Sequence, residues 1–205
     1  MSALILHEDP VSGNCYKIRL TAAHVGIPLE RRAYDIRRGE TRTAAFLSEV
    51  NGNGRIPVLQ IGDDYLPESN AACVYLAHGS PLIPQDRFDH ADMLRWMFWE
   101  QYNHEPNVAT LRFWRGIIGE AQLDDARRAA LPAKEIAARE ALKLMDEHLE
   151  RADWFAAGRF TLADIALYAY THVAGEGGID LSHYPAVRAW LARVAALPGH
   201  VPMDG

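Results

Sequence analysis

The stretch Gly54-Arg55-Ile56-Pro57-Val58-Leu59-Gln60-Ile61-Gly62-Asp63-Asp64-Tyr65-Leu66-Pro67-Glu68-Ser69-Asn70 constrains this chain more than any other. Two apolar runs, Ile56 to Ile61 and Tyr65 to Leu66, flank a Gly-Asp-Asp turn and predict a β-hairpin. Proline cannot donate to a strand ladder, so Pro57 marks an edge, a bulge or a cis bond. A cis bond there would turn the Ile56 backbone outward, free to pair with an extended ligand. Glu68, Ser69 and Asn70 then precede a helical pattern at Ala71, Val74, Tyr75 and His78. Ser or Asn at a helix start is ordinary capping. The same start offers unpaired N–H groups and a positive dipole end to a carboxylate, while Glu68 beside it suits an ammonium group. A ligand carrying both charges on one carbon, an amino-acid head group, fits the pair.

Around this hairpin the chain reads strand, helix, strand, helix, strand, strand, helix. Ala3 to His7 is a short apolar strand. A helix runs from Gly13 with Cys15, Ile18, Ala22 and Val25 on one face and stops at Gly26. Leu29 to Asp35 is a second strand, and Thr43 to Val50 is a short helix. An antiparallel hairpin closing such an order predicts a small α/β domain with a mixed, four-stranded sheet over residues 1–79. Residues 80–86, Ser-Pro-Leu-Ile-Pro-Gln-Asp, form the linker.

Residues 87–205 carry only helical signals, so the fold class is α/β followed by all-α. Met93, Trp96, Met97 and Glu100 share a face of a long helix, with Trp99 and Tyr102 on another. Ala138, Leu142, Met145 and Leu149 form a second stripe, with Glu135/Arg139 and Glu147/Arg151 as i,i+4 pairs. Leu162, Ile165, Ala166, Ala169 and Val173 form a third, and Val187, Trp190, Leu191 and Val194 a fourth. Thr161 and Asp164 have capping-box spacing, with Asp in place of the usual Glu or Gln.

Composition excludes several classes. The net charge of -6 over 205 residues argues against a general nucleic-acid surface. Two cysteines, Cys15 and Cys73, build no disulfide scaffold and suit a reducing cytoplasm. Met1 to Leu6 is too short and lacks the basic start of a signal peptide. No apolar run approaches the roughly 18 residues of a membrane span. His104-Glu105 has no partner at metal-ligand spacing, so no metal is expected. No Gly-rich phosphate loop is present.

A small α/β domain, a Pro-containing linker and a helical bundle, together with the Ile56-Pro57 step and the Glu68-Ser69 pair, resemble the cytosolic glutathione S-transferases with a thioredoxin-like first domain. The likeness is to bacterial members with a Ser-type thiol-activating turn, similar to the theta, zeta and nu-like classes. It implies that Ile56 and Pro57 hold the cysteinyl backbone of glutathione and that Glu68 and Ser69 hold its γ-glutamyl end. Arg55 falls where the family often places a glutathione-contacting Lys or Gln. The run Leu47 to Asn51 is one residue longer than the common spacing, which leaves the glycine end of glutathione to Arg38, Arg42 or Arg55.

The first strand-to-helix turn reads Pro10-Val11-Ser12-Gly13-Asn14-Cys15-Tyr16-Lys17, where thioredoxin-like folds place their reactive group because a helix start favours a thiolate. The resemblance implies that Ser12 donates its hydroxyl to glutathione sulfur, with Asn14 as the alternative donor; capping is the ordinary role of both residue types. Cys15 shares the apolar face of its helix and reads as core, as does Cys73. The second substrate is expected against the first helix of the α domain, where Trp96, Glu100 and Asn103 are the candidate cleft residues, although aromatic stripes are commonly core or dimer contacts. The implied function is a detoxifying glutathione transferase, active as a homodimer on a small apolar electrophile. A glutathione-dependent disulfide-bond reductase and a non-catalytic interaction module are the alternatives on the same fold.

Overall fold

The computed structural model of the chain describes residues 3–203, so the outer ends of the expected domains, residues 1 and 205, lie outside the described residues. The chain forms two compact units: one takes the residues up to Ile83 and those from Pro198 on, the other Pro84–Leu197. The tail after the last helix therefore groups with the first unit. There the Tyr16 hydroxyl donates to the Val201 carbonyl at 2.7 Å.

The first unit contains β1 (Leu4–Glu8), α1 (Gly13–Val25), β2 (Glu30–Ala33), α2 (Ala44–Glu49), β3 (Val58–Ile61), β4 (Asp64–Pro67) and α3 (Ser69–Leu76). This is the predicted order. The four strands form one mixed sheet in the order β2-β1-β3-β4. β1 pairs parallel with β2, while β3 pairs antiparallel with both β1 and β4. The β3–β4 hairpin turns through Gly62 and Asp63, and Gly62 takes φ +61°, which a side chain would resist.

Sequence chemistry explains the element ends. α1 begins at Ser12, whose Oγ accepts from the Cys15 N–H, and ends at Gly26 in the left-handed region, whose N–H bonds back to Ala22 and Ala23. β2 is exposed and carries Arg31 and Arg32, charges that suit a sheet edge. The α1 helix is not a simple amphipathic one: Tyr16, Lys17 and Arg19 are buried along with the expected Cys15, Ile18 and Ala22. His7, fully buried on β1, bridges its neighbours. Its Nδ1 lies 2.8 Å from the Tyr34 hydroxyl and its Nε2 2.9 Å from Gln60 Oε1.

The second unit is helical: α4 (Arg87–Trp99), α5 (Glu105–Leu111), α6 (Asp125–Leu149), α7 (Leu162–Thr171) and α8 (Pro185–Ala195). The long helix expected from residue 87 onward is wound more loosely at Glu100–His104 and Arg112–Ile118, where it takes π-helical turns. The predicted stripe of Ala138, Leu142, Met145 and Leu149 is buried, as are Val187, Trp190 and Val194. Glu135 pairs with Arg139 at 3.5 Å as expected. Glu147 instead pairs with Lys143 at 3.7 Å, because Arg151 lies past the end of α6.

α7 is buried on every side and begins at the expected capping box. Asp164 Oδ2 accepts from the Thr161 N–H at 2.9 Å and from its hydroxyl at 3.2 Å. Its Oδ1 accepts from the Phe155 N–H at 3.2 Å and from Trp190 Nε1 at 3.0 Å, which ties α8 to the head of α7. Among the described residues, no helix is long and apolar enough to cross a membrane.

Candidate glutathione site

Two helix starts meet in the first unit. α1 follows β1 through the short turn Asp9-Pro10-Val11-Ser12, and α3 follows β4 directly. Asn14, in the first turn of α1, and Ser69, the first residue of α3, approach each other: the Ser69 hydroxyl donates to Asn14 Oδ1 at 3.3 Å. Ser69 is buried, 5% exposed, so this contact is held by packing rather than by a surface rotamer. The turn expected to activate the thiol and the Ser69 end of α3 therefore lie side by side.

Ser12 is half-buried and caps α1, its Oγ accepting from the Cys15 N–H at 3.4 Å while its own N–H donates to the Asp9 carbonyl at 2.9 Å. Capping uses a lone pair of the hydroxyl and leaves its proton, so one side chain can cap the helix and still donate to a ligand atom. A helix N-terminus here adds a positive dipole end. Cys15, next in the turn, is fully buried, and burial pushes its thiol up to about 12. A thiol held in that range is no nucleophile at neutral pH. This agrees with its reading as core.

Glu68 is exposed and occupies the cap position of α3 without making a side-chain cap bond. Its backbone takes φ +72° and ψ 112°, a region that costs a non-glycine residue about 1–3 kcal/mol. Ile56 and Pro57 precede β3, and the bond between them is cis. Arg55 is exposed, and its carbonyl accepts from Asn51 Nδ2 at 2.9 Å.

The other arginines offered for the glycine end have different surroundings. Arg42 Nη1 donates to the Asn53 carbonyl at 3.0 Å and so braces the loop before the Ile56-Pro57 step. Gly54 is needed at that place: it takes φ +63°, and a Cβ on it would lie 2.6 Å from Arg42 Nη1. Arg38 is highly exposed, 3.8 Å from Asp35.

In the helical unit, Trp96 is 2% exposed and packs against the rings of Trp99, His148 and Phe155, while Arg95 lies over its face at 4.3 Å. Glu100 is fully buried and accepts from Gln101 Nε2 at 2.8 Å. Both belong to the interior of that unit. Trp96 is core because its ring interlocks with its neighbours in the bundle, whereas Tyr102, further along the helix, is exposed. Of the three residues offered as cleft candidates, Asn103 alone is exposed. Glu8, Arg19 and Arg31 cluster beside the β1–α1 turn, a grouping the sequence reading does not single out; only Arg19 carries a signal, a charged residue inside the apolar pattern of a helix.

Residues 11–78 match the family model "Glutathione S-transferase, N-terminal domain", and residues 98–198 match "Glutathione S-transferase, C-terminal domain". The chain is 31% identical to glutathione S-transferase D7 of Anopheles gambiae over 201 residues, which is 96% of this chain and 88% of that protein. The chain belongs to the glutathione S-transferase family. It is also 30% identical to glutathione S-transferase 3 of Zea mays, over 97% of this chain and 91% of that one. Among solved structures, a possible glutathione S-transferase from Rhodopseudomonas palustris superposes with a TM-score of 0.93 at 44% identity, covering 100% of this chain and 91% of that chain. The glutathione S-transferase from Pseudomonas fluorescens gives 0.92 at 43% identity, covering 98% and 99%. The expected two-part transferase architecture is thus borne out over the whole described chain.

Proposed function

We propose that this glutathione transferase binds glutathione on its α/β unit and activates the thiol through Ser12, assisted by Asn14. The observation that supports this reading is the approach of Asn14 to Ser69, which brings the first turn of α1 beside the start of α3. The α3 N–H groups and the Ser69 hydroxyl take the γ-glutamyl carboxylate, and Glu68 takes its ammonium group. Ile56, ahead of Pro57, pairs with the cysteinyl backbone, and Arg55 lies toward the glycine end.

Ser12 then donates a hydrogen bond from its hydroxyl to the sulfur and keeps its proton. A hydrogen bond to a charged group contributes about 1.5–3 kcal/mol, which favours the thiolate by about one to two pKa units. The thiol proton passes to solvent, the sulfur lone pair forms a C–S bond with the electrophilic carbon, and the leaving group or opened ring takes the displaced electron pair. The electrophile is a small apolar molecule held by the helical unit, and the reaction serves detoxification. A homodimer is supported by the family resemblance. A cytoplasmic location is supported by two buried free cysteines.

A conjugation assay with glutathione against an aryl halide, an epoxide and a mixed disulfide tests the reaction class. A glutathione conjugate of the halide or epoxide is the expected product. Turnover of the mixed disulfide alone would instead make the protein a disulfide-bond reductase.

A further inference from the structure

The β1–α1 turn is tied down at every residue. The Asp9 carboxylate accepts from the Val11 N–H at 3.2 Å, and the Asp9 carbonyl accepts from the Ser12 N–H. The Pro10 carbonyl accepts from Arg19 Nη2 at 2.9 Å. Arg19 comes from the middle of α1, is buried, and has its guanidinium 5.5 Å from the centre of the Tyr16 ring. Its Nε lies 3.3 Å from Glu8 Oε2, and Glu8 Oε1 lies 2.5 Å from Arg31 Nε. Glu8 ends β1 and is 1% exposed.

A buried guanidinium is costly unless a carboxylate answers it, and Glu8 answers Arg19 while also pairing with the more exposed Arg31. The cluster stands beside the turn that carries Ser12. It also links three elements: the end of β1 through Glu8, the edge strand β2 through Arg31, and α1 through Arg19. Any shift of Pro10 against α1 must break the Arg19 hydrogen bond, and Ser12 follows Pro10 by two residues.

We propose that Arg19, held by Glu8, is a positioning residue for Ser12: it fixes the Pro10 carbonyl and with it the turn that receives the glutathione sulfur. The inference rests on the reading of Ser12 as sulfur ligand. Glutathione binding should be nearly independent of Arg19, since the γ-glutamyl contacts lie on α3. Ionisation of the bound thiol should depend on it.

The test compares the full-length protein with Arg19→Met, Arg19→Lys and Glu8→Gln. Affinity for glutathione is read by calorimetry and thiol ionisation by ultraviolet titration of the complex. In Arg19→Met the bound thiol should titrate about one unit higher, which is an about tenfold lower ratio of thiolate to thiol at a given pH. Its affinity should change by less than about threefold, well within 1 kcal/mol. Arg19→Lys should recover part of the ionisation, because its ammonium can still donate to the Pro10 carbonyl but lacks the planar fork that also meets Glu8. Should Arg19→Met fail to fold, Glu8→Gln keeps side-chain shape and releases the guanidinium from its ion pair; the bound thiol should again titrate higher, whereas loss of a carboxylate charge alone would move it lower. An unmoved titration in a variant that still binds glutathione overturns the role of Arg19. Absence of binding by the unmodified protein overturns the glutathione reading itself.

Discussion

Ser69 reaches across 55 residues of chain to place its hydroxyl 3.3 Å from Asn14 Oδ1. This contact joins the two helix starts on which the proposed chemistry depends. It couples a residue that would grip one end of glutathione to one beside the reactive sulfur. Substitution at either end should therefore be felt at the other. Asn14→Ala and Ser69→Ala should each weaken glutathione binding or turnover, with a coupling of about 0.5–1.5 kcal/mol in a double-mutant cycle. Strict additivity of the two losses would show that the contact has no functional part.

Ser12→Ala removes only the hydroxyl. Turnover should fall by about 10- to 100-fold with glutathione affinity nearly intact, because the lost interaction lies at the reacting atom. Some loss of helix capping, about 1 kcal/mol of stability, should accompany it. Steady-state kinetics beside a thermal melt separate the two effects, and unchanged turnover would leave Ser12 as a cap and Asn14 as the sulfur ligand.

Glu68→Gln keeps the shape of the side chain and removes its charge. If Glu68 holds the γ-glutamyl ammonium, the dissociation constant for glutathione should rise by about tenfold while the ionisation of the bound thiol stays put. Calorimetry at equal ionic strength checks this, and equal affinity in the variant would assign the ammonium elsewhere.

Cys15 should be silent in the native protein. Its buried thiol, pushed up to about 12, carries no thiolate at pH 8. Labelling with a disulfide reagent should find neither Cys15 nor the equally buried Cys73 before unfolding, and both after it. Rapid native labelling of Cys15 with loss of activity would bring a cysteine mechanism back into account.

The tail packed on α1 should respond to acid. Burial lowers His24, and His200 beside it lowers it further; burial lowers His200 as well. A histidine whose folded pKa lies below its unfolded value of about 6.5 supports folding fully above that pH. The support is lost as pH falls through the folded pKa, at about 1.4 kcal/mol for each unit of depression. Stability of the first unit should therefore decline below about pH 6.5, and the double variant His24→Gln, His200→Gln should soften that decline. Chemical denaturation between pH 5 and pH 8 gives the comparison.

How much of this was legible in the sequence depends on the range of the interaction. The hairpin, the caps at Ser12 and Gly26 and the Thr161–Asp164 box are local patterns, fixed by residues within a few positions of one another, and all appear as read. The stripe from Ala138 to Leu149 is periodic and equally plain. The Asn14–Ser69 contact could be expected only through the family resemblance, because no local rule brings residues so far apart together. Buried Arg19 and Lys17 contradict the amphipathic pattern of α1, and only a three-dimensional partner such as Glu8 explains a buried charge. Trp96 and Glu100 show the converse, since a polar group among aromatics can be packed inside as readily as turned to a ligand.

The most direct measurement is glutathione binding at pH 7 by calorimetry, with an ultraviolet scan of the complex. The account predicts saturable binding to the unmodified protein and an absorbance of bound thiolate that is lost in Ser12→Ala. No heat of binding at millimolar glutathione, or binding without thiolate, would contradict it.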